Sequence, residues 1–520
     1  MEKTPKSKNK KFSIIIPVYK SEKYLKDTLD AIDDQDYKEY EKIIVVNKDN
    51  KEVIKIAEKR KCVLVTIDED IGAPFARNRG AEVATGDYLM FIDPDVYLNP
   101  GILKVYEEEF RKHPEVGFVY TSYEIVTPPG SQPQIIPAKK FDRYFLTCNN
   151  FISGANPLKR ELFQGQDESL KSLQDWDMWL SVTADGTKGY FIEDYIGFTT
   201  EPPRAGSISM DSYAHWIERR TKVREKHGIK DRDIAVISMG APVHGLATAK
   251  ILGADFYDQP VHKENNYKLV YLIGFYPTGA ESHMQALMNN INKDCKRLVH
   301  WIGTDVYQMW HQTSYAGVSD LKKMFKKFKV KQWTEYITTH AEMKALGIKT
   351  DIVPLPCEKI FEPTPLPKEF SVGVYINPTQ NMYYENEMYD IARAMPDIKF
   401  KFFGNKDKVG KVEENCEWVG WVDMDDFIND TSCLLRLTVH DGLPIGPIQF
   451  FMKGRDVVTN VNLDYAYIIN EKGGSKTKSQ ILKSIREIKK KEKVNVKASK
   501  FYTKLMDHKK FRKAVYGYKD

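Results

Sequence analysis

Several features are scarce in this 520-residue chain, and each scarcity removes a class of protein. The six cysteines (Cys62, Cys148, Cys295, Cys357, Cys416 and Cys433) are scattered, with no pair at CxxC or Cys/His spacing. That argues against a zinc-ribbon or disulfide scaffold. Thiols without a cleavable leader point to a reducing, cytoplasmic compartment. No stretch approaches the ~20 uninterrupted apolar residues of a spanning helix, so no transmembrane segment is expected. The opening MEKTPKSKNKKFSIIIPVYK is basic and then apolar, as a secretory leader is. Its apolar part is short and β-branched, and no small-residue cleavage site follows. It reads as a basic leader, residues 1–11, feeding a buried first strand. Neither sign of charge dominates, since 78 Lys and Arg face 72 Asp and Glu for a net +6. Such a balance fits a globular protein and does not demand a polyanionic partner.

What is present is an alternation of strands and helices, in a chain long enough for two or three domains. FSIIIPVY, EKIIVVN, CVLVTID and YLMFID read as buried strands. SEKYLKDTLDAIDDQ, VIKIAEKRK and ARNRGAEVA read as the helices between them, with Ser21 as the cap of the first. This rhythm implies an α/β fold with a largely parallel sheet covered on both faces. Residues 133–160 are less regular, as an active-site loop region is. The charged stretch 215–232 reads as a helical linker. A second alternating series (IAVISMG, KLVYLIGFY, RLVHWIG, WTEYITT, DIVPLP) occupies 233–356. A third (FSVGVYI, IKFKFFG, CEWVGWV, CLLRLTV, DVVTN) occupies 357–474 behind a proline-rich join. Residues 475–520 form a Lys-rich, helix-prone tail.

The informative stretch of the first half is GAPFARNRGAEVATGDYLMFIDPDV. Asp93 and Asp95 flank Pro94 just past an apolar strand, at the edge where open α/β sheets take ligands. Two carboxylates so spaced can hold a hard divalent cation that neutralises a diphosphate leaving group. Further on, Asp175 and Asp177 read either as a helix N-terminal pair favoured by the dipole or as functional carboxylates. Trp176 and Trp179 read as core or acceptor-wall aromatics, and Cys148 as a small buried hydrophobe.

Residues 12–210 resemble the inverting family 2 glycosyltransferases of GT-A fold. SIIIPVYKSEKYLKDTLDAI is similar to the family's opening strand and helix, which places Pro17 and Tyr19 against the nucleotide base. GAPFARNRGAEVATGDYLMFIDPDV resembles its donor-phosphate and metal segment. The resemblance implies Arg77, Asn78 and Asp93 near the donor, and Asp93 and Asp95 on Mn2+ or Mg2+. GQDESLKSLQDWDMWL resembles the later acidic motif and implies Asp175 as general base. The sequence departs from the family at Asn47 and Lys48, where an acidic pair is usual, and at Gln174, where a glutamate is.

The second half resembles GT-B glycosyltransferases of the family 4 kind, loosely over residues 233–470. HDGLPIGPIQFFMKGRDVVTN is similar to that family's Gly-rich donor loop with the helix and strand behind it. The resemblance puts Asp441 in the place of the first family glutamate, as a catalytic candidate, and Gln449 in the place of the second. Arg436, His440 and Gly442 join them as donor-binding candidates. The basic pair usual early in that lobe has no counterpart in VGVYINPTQNMYYENEM. MGAPVHG and WIGTDV are loops after strands that place His244 and Asp305 as further candidates for the cleft. A site of this kind needs no metal.

The expected fold is thus an N-terminal GT-A domain, 12–214, followed by a GT-B pair of Rossmann-like lobes. The expected function is bifunctional transfer from nucleotide-sugar donors to a glycan or other hydroxyl acceptor, the first site inverting and metal-dependent. Two alternatives stand beside it. In one the second half only binds the acceptor. In the other the acceptor is a nucleic-acid base and the basic tail docks the backbone. That tail has the composition for an anionic membrane surface or nucleic acid, but also for an ordinary solvated helix face.

Overall fold

FSIIIPV forms a strand, β1 (Phe12–Val18), whose seven residues are all buried. A run apolar on both faces needs cover on both, and in the computed structural model of the chain β1 lies inside a sheet between two parallel neighbours. The structure is described over residues 11–19, 22–68, 72–128, 131–203, 215–259, 266–376, 383–404, 413–470 and 475–520. Most of the basic leader, and Ser21, fall outside those residues. The chain divides into two units, Met1–Asp231 and Arg232–Asp520.

In the first unit β1 pairs in parallel with β2 (Tyr40–Asn47), and β2 with β3 (Val63–Ile67). On its other side β1 pairs in parallel with β4 (Tyr88–Phe91). The rest is β5 (Val96–Leu98), β6 (Phe118–Ile125), β7 (Gln134–Ile136), β8 (Leu158–Lys159) and β9 (Gly189–Thr200). The nine-stranded sheet runs β3-β2-β1-β4-β8-β6-β9-β5, with β7 beside β6. It is more mixed than the sequence rhythm predicts, because β8 enters antiparallel to β4 and β5 antiparallel to β9. Strand order reverses between β1 and β4, and open sheets bind ligands outside the carboxyl ends at such a point. Pro17 sits where β1 has already parted from β4 and bonds only toward β2, so its missing N–H is tolerated.

The second unit holds two six-stranded sheets, every strand pairing among the described residues parallel. One contains β10 (Ile234–Ile237), β11 (Asp255–Tyr257), β12 (Leu269–Ile273), β13 (Lys296–Trp301), β14 (Lys331–Thr334) and β15 (Asp351–Ile352). Its order is β11-β10-β12-β13-β14-β15, with a reversal between β10 and β12. The other contains β16 (Ser371–Ile376), β17 (Lys399–Gly404), β18 (Cys416–Gly420), β19 (Cys433–Arg436), β20 (Asp456–Thr459) and β21 (Tyr467–Ile468). Its order is β18-β17-β16-β19-β20-β21, reversing between β16 and β19, the doubly wound arrangement of dinucleotide-binding sheets. WTEYITT is a strand only to Thr334; Ile337–Ala345 is already helix.

The Lys-rich end forms three helices, Ser475–Lys491, Val496–Leu505 and His508–Lys519. Each commits one face to the second unit. Ile481, Ile485 and Ile488 are buried, Tyr502 stacks on Phe451 at 4.5 Å, and Tyr518 donates to Arg297 O at 3.1 Å. Lys491 and Lys519 are spent on Asp456 and Asp233. Among the described residues no helix is long and apolar enough to cross a membrane.

Candidate active sites

In the first unit the chain leaves β4 at Phe91 and turns through Asp93, Pro94 and Asp95 into β5, which is locked to β9. The turn is fixed from both ends: Val96 N–H donates to Asp93 O at 3.0 Å and Glu201 N–H to Asp95 O at 3.1 Å. Both carboxylates therefore stand at the β1/β4 reversal, where β1 also delivers buried Pro17 and exposed Tyr19. Asp93 is half exposed, and Arg77 donates to its Oδ1 at 2.8 Å from the helix Ala73–Val83. Arg77 is itself buried. Its other terminal nitrogen lies 3.6 Å from Asp175 Oδ1, so one guanidinium bridges the Asp93–Asp95 turn and the base candidate.

Asp175 and Asp177 share the first turn of the helix Gln174–Val182, but the structure gives them different tasks. Asp177 is buried and tied to Lys226 Nζ and His227 Nε2, both at 2.8 Å, which fastens the helix Trp216–Lys226 to this one. Asp175 instead keeps a third of its side chain open to solvent and accepts Gly154 N–H on Oδ2 at 2.9 Å. Burial pushes its pKa up, and the neighbouring Asp93 adds to that; Arg77 and Gly154 N–H oppose it. A recessed carboxylate that holds a proton more readily than usual, yet stays reachable, has the properties of a general base.

Asn78 exchanges two hydrogen bonds with the Gln166 backbone, at 2.7 and 2.9 Å, and donates to Glu168. Its amide thus anchors a segment beside the site. Gln174 donates to Leu170 O, a local bond. Trp176 and Trp179 are core residues, their indole N–H groups bonded to Leu146 O and Ile152 O. Cys148 is buried. Asn47 accepts Asp49 N–H and Lys48 pairs with Asp68. Sequence reasoning missed Gln166, which receives Arg77 at 3.3 Å, and Gly154, because each acts only through a distant partner.

Among the described residues no group of three or more His, Cys, Asp or Glu side chains is placed to hold a metal, so Asp93 and Asp95 would have to share a cation with its other ligands. Mg2+ and Mn2+ commonly take only one or two protein carboxylates and complete their shells with phosphate oxygens and water. Arg77 occupies one oxygen of Asp93 and leaves the other for such a role.

In the second unit the loop that carries Asp441 and Gly442, the DG loop, follows β19 at the β16/β19 reversal and leads into the helix Ile445–Met452. Asn460 clasps the loop, receiving Thr438 N–H at 3.0 Å and donating to Thr438 O at 2.7 Å. Arg436 donates to Asp441 Oδ2 at 2.5 Å, and lies 5.1 and 5.2 Å from the rings of Tyr375 and Tyr383. Burial works against the Arg436 charge, but Asp441 and the tyrosines more than compensate. His440 Nε2 bonds to Glu342 at 3.0 Å. Gly442 is pressed between strands' ends: a Cβ there would sit 2.0 Å from Glu335 Oε1. Gln449 is half-buried on the following helix, eight residues from Asp441 in the sequence. Asp305 turns out to be a staple. It accepts four backbone N–H groups, from Ile302, Gly303, Val306 and Phe275, while burial lifts its pKa to about 6.

Comparison with known proteins bears on the first unit. Residues 13–164 match the model of Glycosyl transferase family 2. The amylovoran biosynthesis glycosyltransferase AmsB of Erwinia amylovora is 29% identical over 200 residues, 34% of this chain and 65% of AmsB. An uncharacterized glycosyltransferase of Methanocaldococcus jannaschii is 23% identical over 198 residues, covering 35% of this chain and 68% of that protein. Among solved structures, Staphylococcus aureus TarS 1–349 with UDP-GlcNAc overlaps 48% of this chain and 68% of its own at 20% identity and a TM-score of 0.35.

Proposed function

We propose, on the match of residues 13–164 to Glycosyl transferase family 2, that the first unit of this glycosyltransferase transfers a sugar from a nucleotide-sugar donor to a hydroxyl acceptor with inversion. The observation that carries the reading is the bridge Asp93–Arg77–Asp175, which sets a donor-side carboxylate and a reachable base on either side of one buried cation. Asp175 takes the proton of the acceptor hydroxyl as its oxygen forms a bond to the anomeric carbon. The bond from that carbon to the donor phosphate breaks on the opposite face, and its electron pair leaves with the nucleoside diphosphate. Asp175 then returns the proton to solvent. Attack opposite the leaving group inverts the centre. Asp93 and Asp95 are the residues that would hold Mn2+ or Mg2+, which when bound supplies charge neutralisation to the departing diphosphate. Pro17 and Tyr19 are the proposed wall for the base.

Nucleotide release across a panel of sugar nucleotides tests this. We expect one donor's turnover to be abolished by EDTA and restored by Mn2+ or Mg2+. Asp95→Ala should lower it at least about tenfold. Turnover indifferent to both EDTA and Asp95→Ala would sink the metal-dependent reading.

The proposal for the second unit is a further, metal-independent transfer at Asp441, which makes the chain bifunctional with the two sites acting on one growing acceptor. Two doubly wound parallel sheets and a Gly-rich loop at a strand-order reversal support this GT-B-like reading. Here the expected result is a second donor whose turnover survives EDTA and drops at least about tenfold in Asp441→Ala. One observation favours the rival reading, in which this unit holds the acceptor. Arg436 and His440, the basic side chains at the loop motif, already have Asp441 and Glu342 as partners. If no donor's turnover responds to Asp441→Ala, the acceptor-holding reading replaces the bifunctional one.

A further inference from the structure

The helix that carries Asp175 does not secure its own first turn. Its N-cap is Leu173, which offers no capping side chain and has a left-handed backbone, φ 63° and ψ 21°. A β-carbon makes that conformation unfavourable, and it persists only where the surroundings impose it. The surroundings here are the helix Trp216–Lys226, within the stretch whose sequence reads as a linker.

Arg219, Lys222 and Lys226 recur at i, i+3 and i+7 and so share one face of that helix. All three reach the segment around Asp175. Arg219 donates to Ser172 Oγ at 3.0 Å, beside the left-handed leucine. Lys222 donates to Ser169 O and Oγ at 3.3 and 3.2 Å. Lys226 donates to Asp167 Oδ2 at 3.1 Å and to Asp177 Oδ2 at 2.8 Å. Val223 anchors the helix, buried in the apolar cluster that holds Trp176 and Trp179.

Of the three cations, Lys226 has the most direct line to the chemistry. Asp167 follows Gln166 in the chain, and Asp177 follows Asp175 by one helical step. Arg77 Nη1 meets both segments, lying 3.3 Å from Gln166 Oε1 and 3.6 Å from Asp175 Oδ1. One ammonium therefore ties together the two stretches of chain that face the same guanidinium nitrogen. The other oxygen of Asp177 is taken by His227, and its side chain is only 3% exposed, so the tie to Lys226 is shielded from solvent ions.

We propose that Lys226 is a positioning residue for the transfer: through Asp177 and Asp167 it holds the Asp175 carboxylate in register with Gly154 N–H and Arg77. The proposal rests on reading Asp175 as the base.

The test uses the full chain and has one arm that needs turnover and one that does not. Nucleotide release is followed with Mn2+ and UDP-glucose, UDP-galactose, UDP-N-acetylglucosamine or GDP-mannose, with water as acceptor. Lys226→Met is expected to lower kcat about tenfold and leave donor affinity within about twofold, while Lys226→Arg restores kcat to within about threefold. In the Asp175→Asn background Lys226→Met should lower the residual kcat less than about twofold, because a residue acting through the base loses its effect once the base is gone. In the second arm, with no donor or metal, the Gly154 amide that donates to Asp175 Oδ2 should exchange its hydrogen at least about tenfold faster in Lys226→Met. If Lys226→Met fails to melt cooperatively, Lys226→Gln, uncharged and shorter, takes its place with the same expectations. An unchanged kcat, a drop carried in full into the Asp175→Asn background, or a loss of donor affinity alone overturns the proposal. So does unaltered exchange at Gly154. Parental kcat in Asp175→Asn would instead sink the base reading, and the exchange arm still decides whether Lys226 positions that carboxylate.

Discussion

Asp175→Asn is expected to lower kcat by about 10³-fold while leaving donor affinity near its original value, because a positioned base contributes about 10²–10⁴. Steady-state kinetics at saturating acceptor, with donor binding measured separately, checks both halves. Asparagine is the informative replacement, since its side-chain oxygen still accepts Gly154 N–H and only the ionisation is lost. The pH dependence has a definite sign. In the proposed mechanism ionised Asp175 is the working form, and its pKa is raised, so kcat/KM is expected to fall as pH drops, beginning above the ordinary carboxylate range. The residual activity of Asp175→Asn should lack that acid limb. Stability runs the other way: a carboxyl whose folded pKa exceeds its unfolded value destabilises the fold once pH rises past both. The variant, which escapes this cost, should melt no lower than the parent at neutral pH. A limb that persists in the variant would assign it to another group.

Gly154→Ala is the second large effect. A Cβ at Gly154 would lie 2.5, 2.6 and 2.7 Å from Oδ1, Cγ and Oδ2 of Asp175. Such distances are not tolerated, and the carboxylate must move. Gly154 is not among the glycines with positive φ, so the alanine backbone is itself unstrained and the effect is steric. Displacing a base by about 1 Å costs about 10²-fold, and we expect that loss in kcat with donor KM unchanged. A change in KM alone would mean that Asp175 belongs to donor binding. Equal activity would mean that the base lies elsewhere.

Neither glycine nor base is equally visible in the sequence, and the contrast is instructive. The buried strands of both units were legible because runs such as FSIIIPV and KLVYLI have no other home than the inside of a parallel sheet. The DPD turn was legible because it ends such a strand. The mixed part of the first sheet was not. β8 has only two residues, and β9 pairs irregularly with β6, shifting register between Tyr120 and Ser122 and again between Ser122 and Glu124. No clean alternation survives to be read. Asp175 and Asp177 looked alike on one helical turn; only the positions of Lys226 and His227, some fifty residues on, tell them apart. Gly154 and Lys226 carry no local signal, since each matters for an atom that folding brings to it. The DG loop was found, but the pairing of Arg436 with Asp441 depends on side-chain direction.

Arg77 has a consequence for timing. Its one guanidinium answers to two carboxylates, and Asp93 in turn raises the proton affinity of Asp175. Any positive charge gathered at Asp93 cancels that influence and leaves more of the guanidinium's field for Asp175. Occupancy on the donor side therefore makes the base more acidic, and by reciprocity an ionised base favours that occupancy. The site arms itself as the donor arrives: in an empty site the carboxyl holds its proton more tightly than it does once positive charge has gathered at Asp93, which makes it a weaker activator of stray water before there is a sugar to protect.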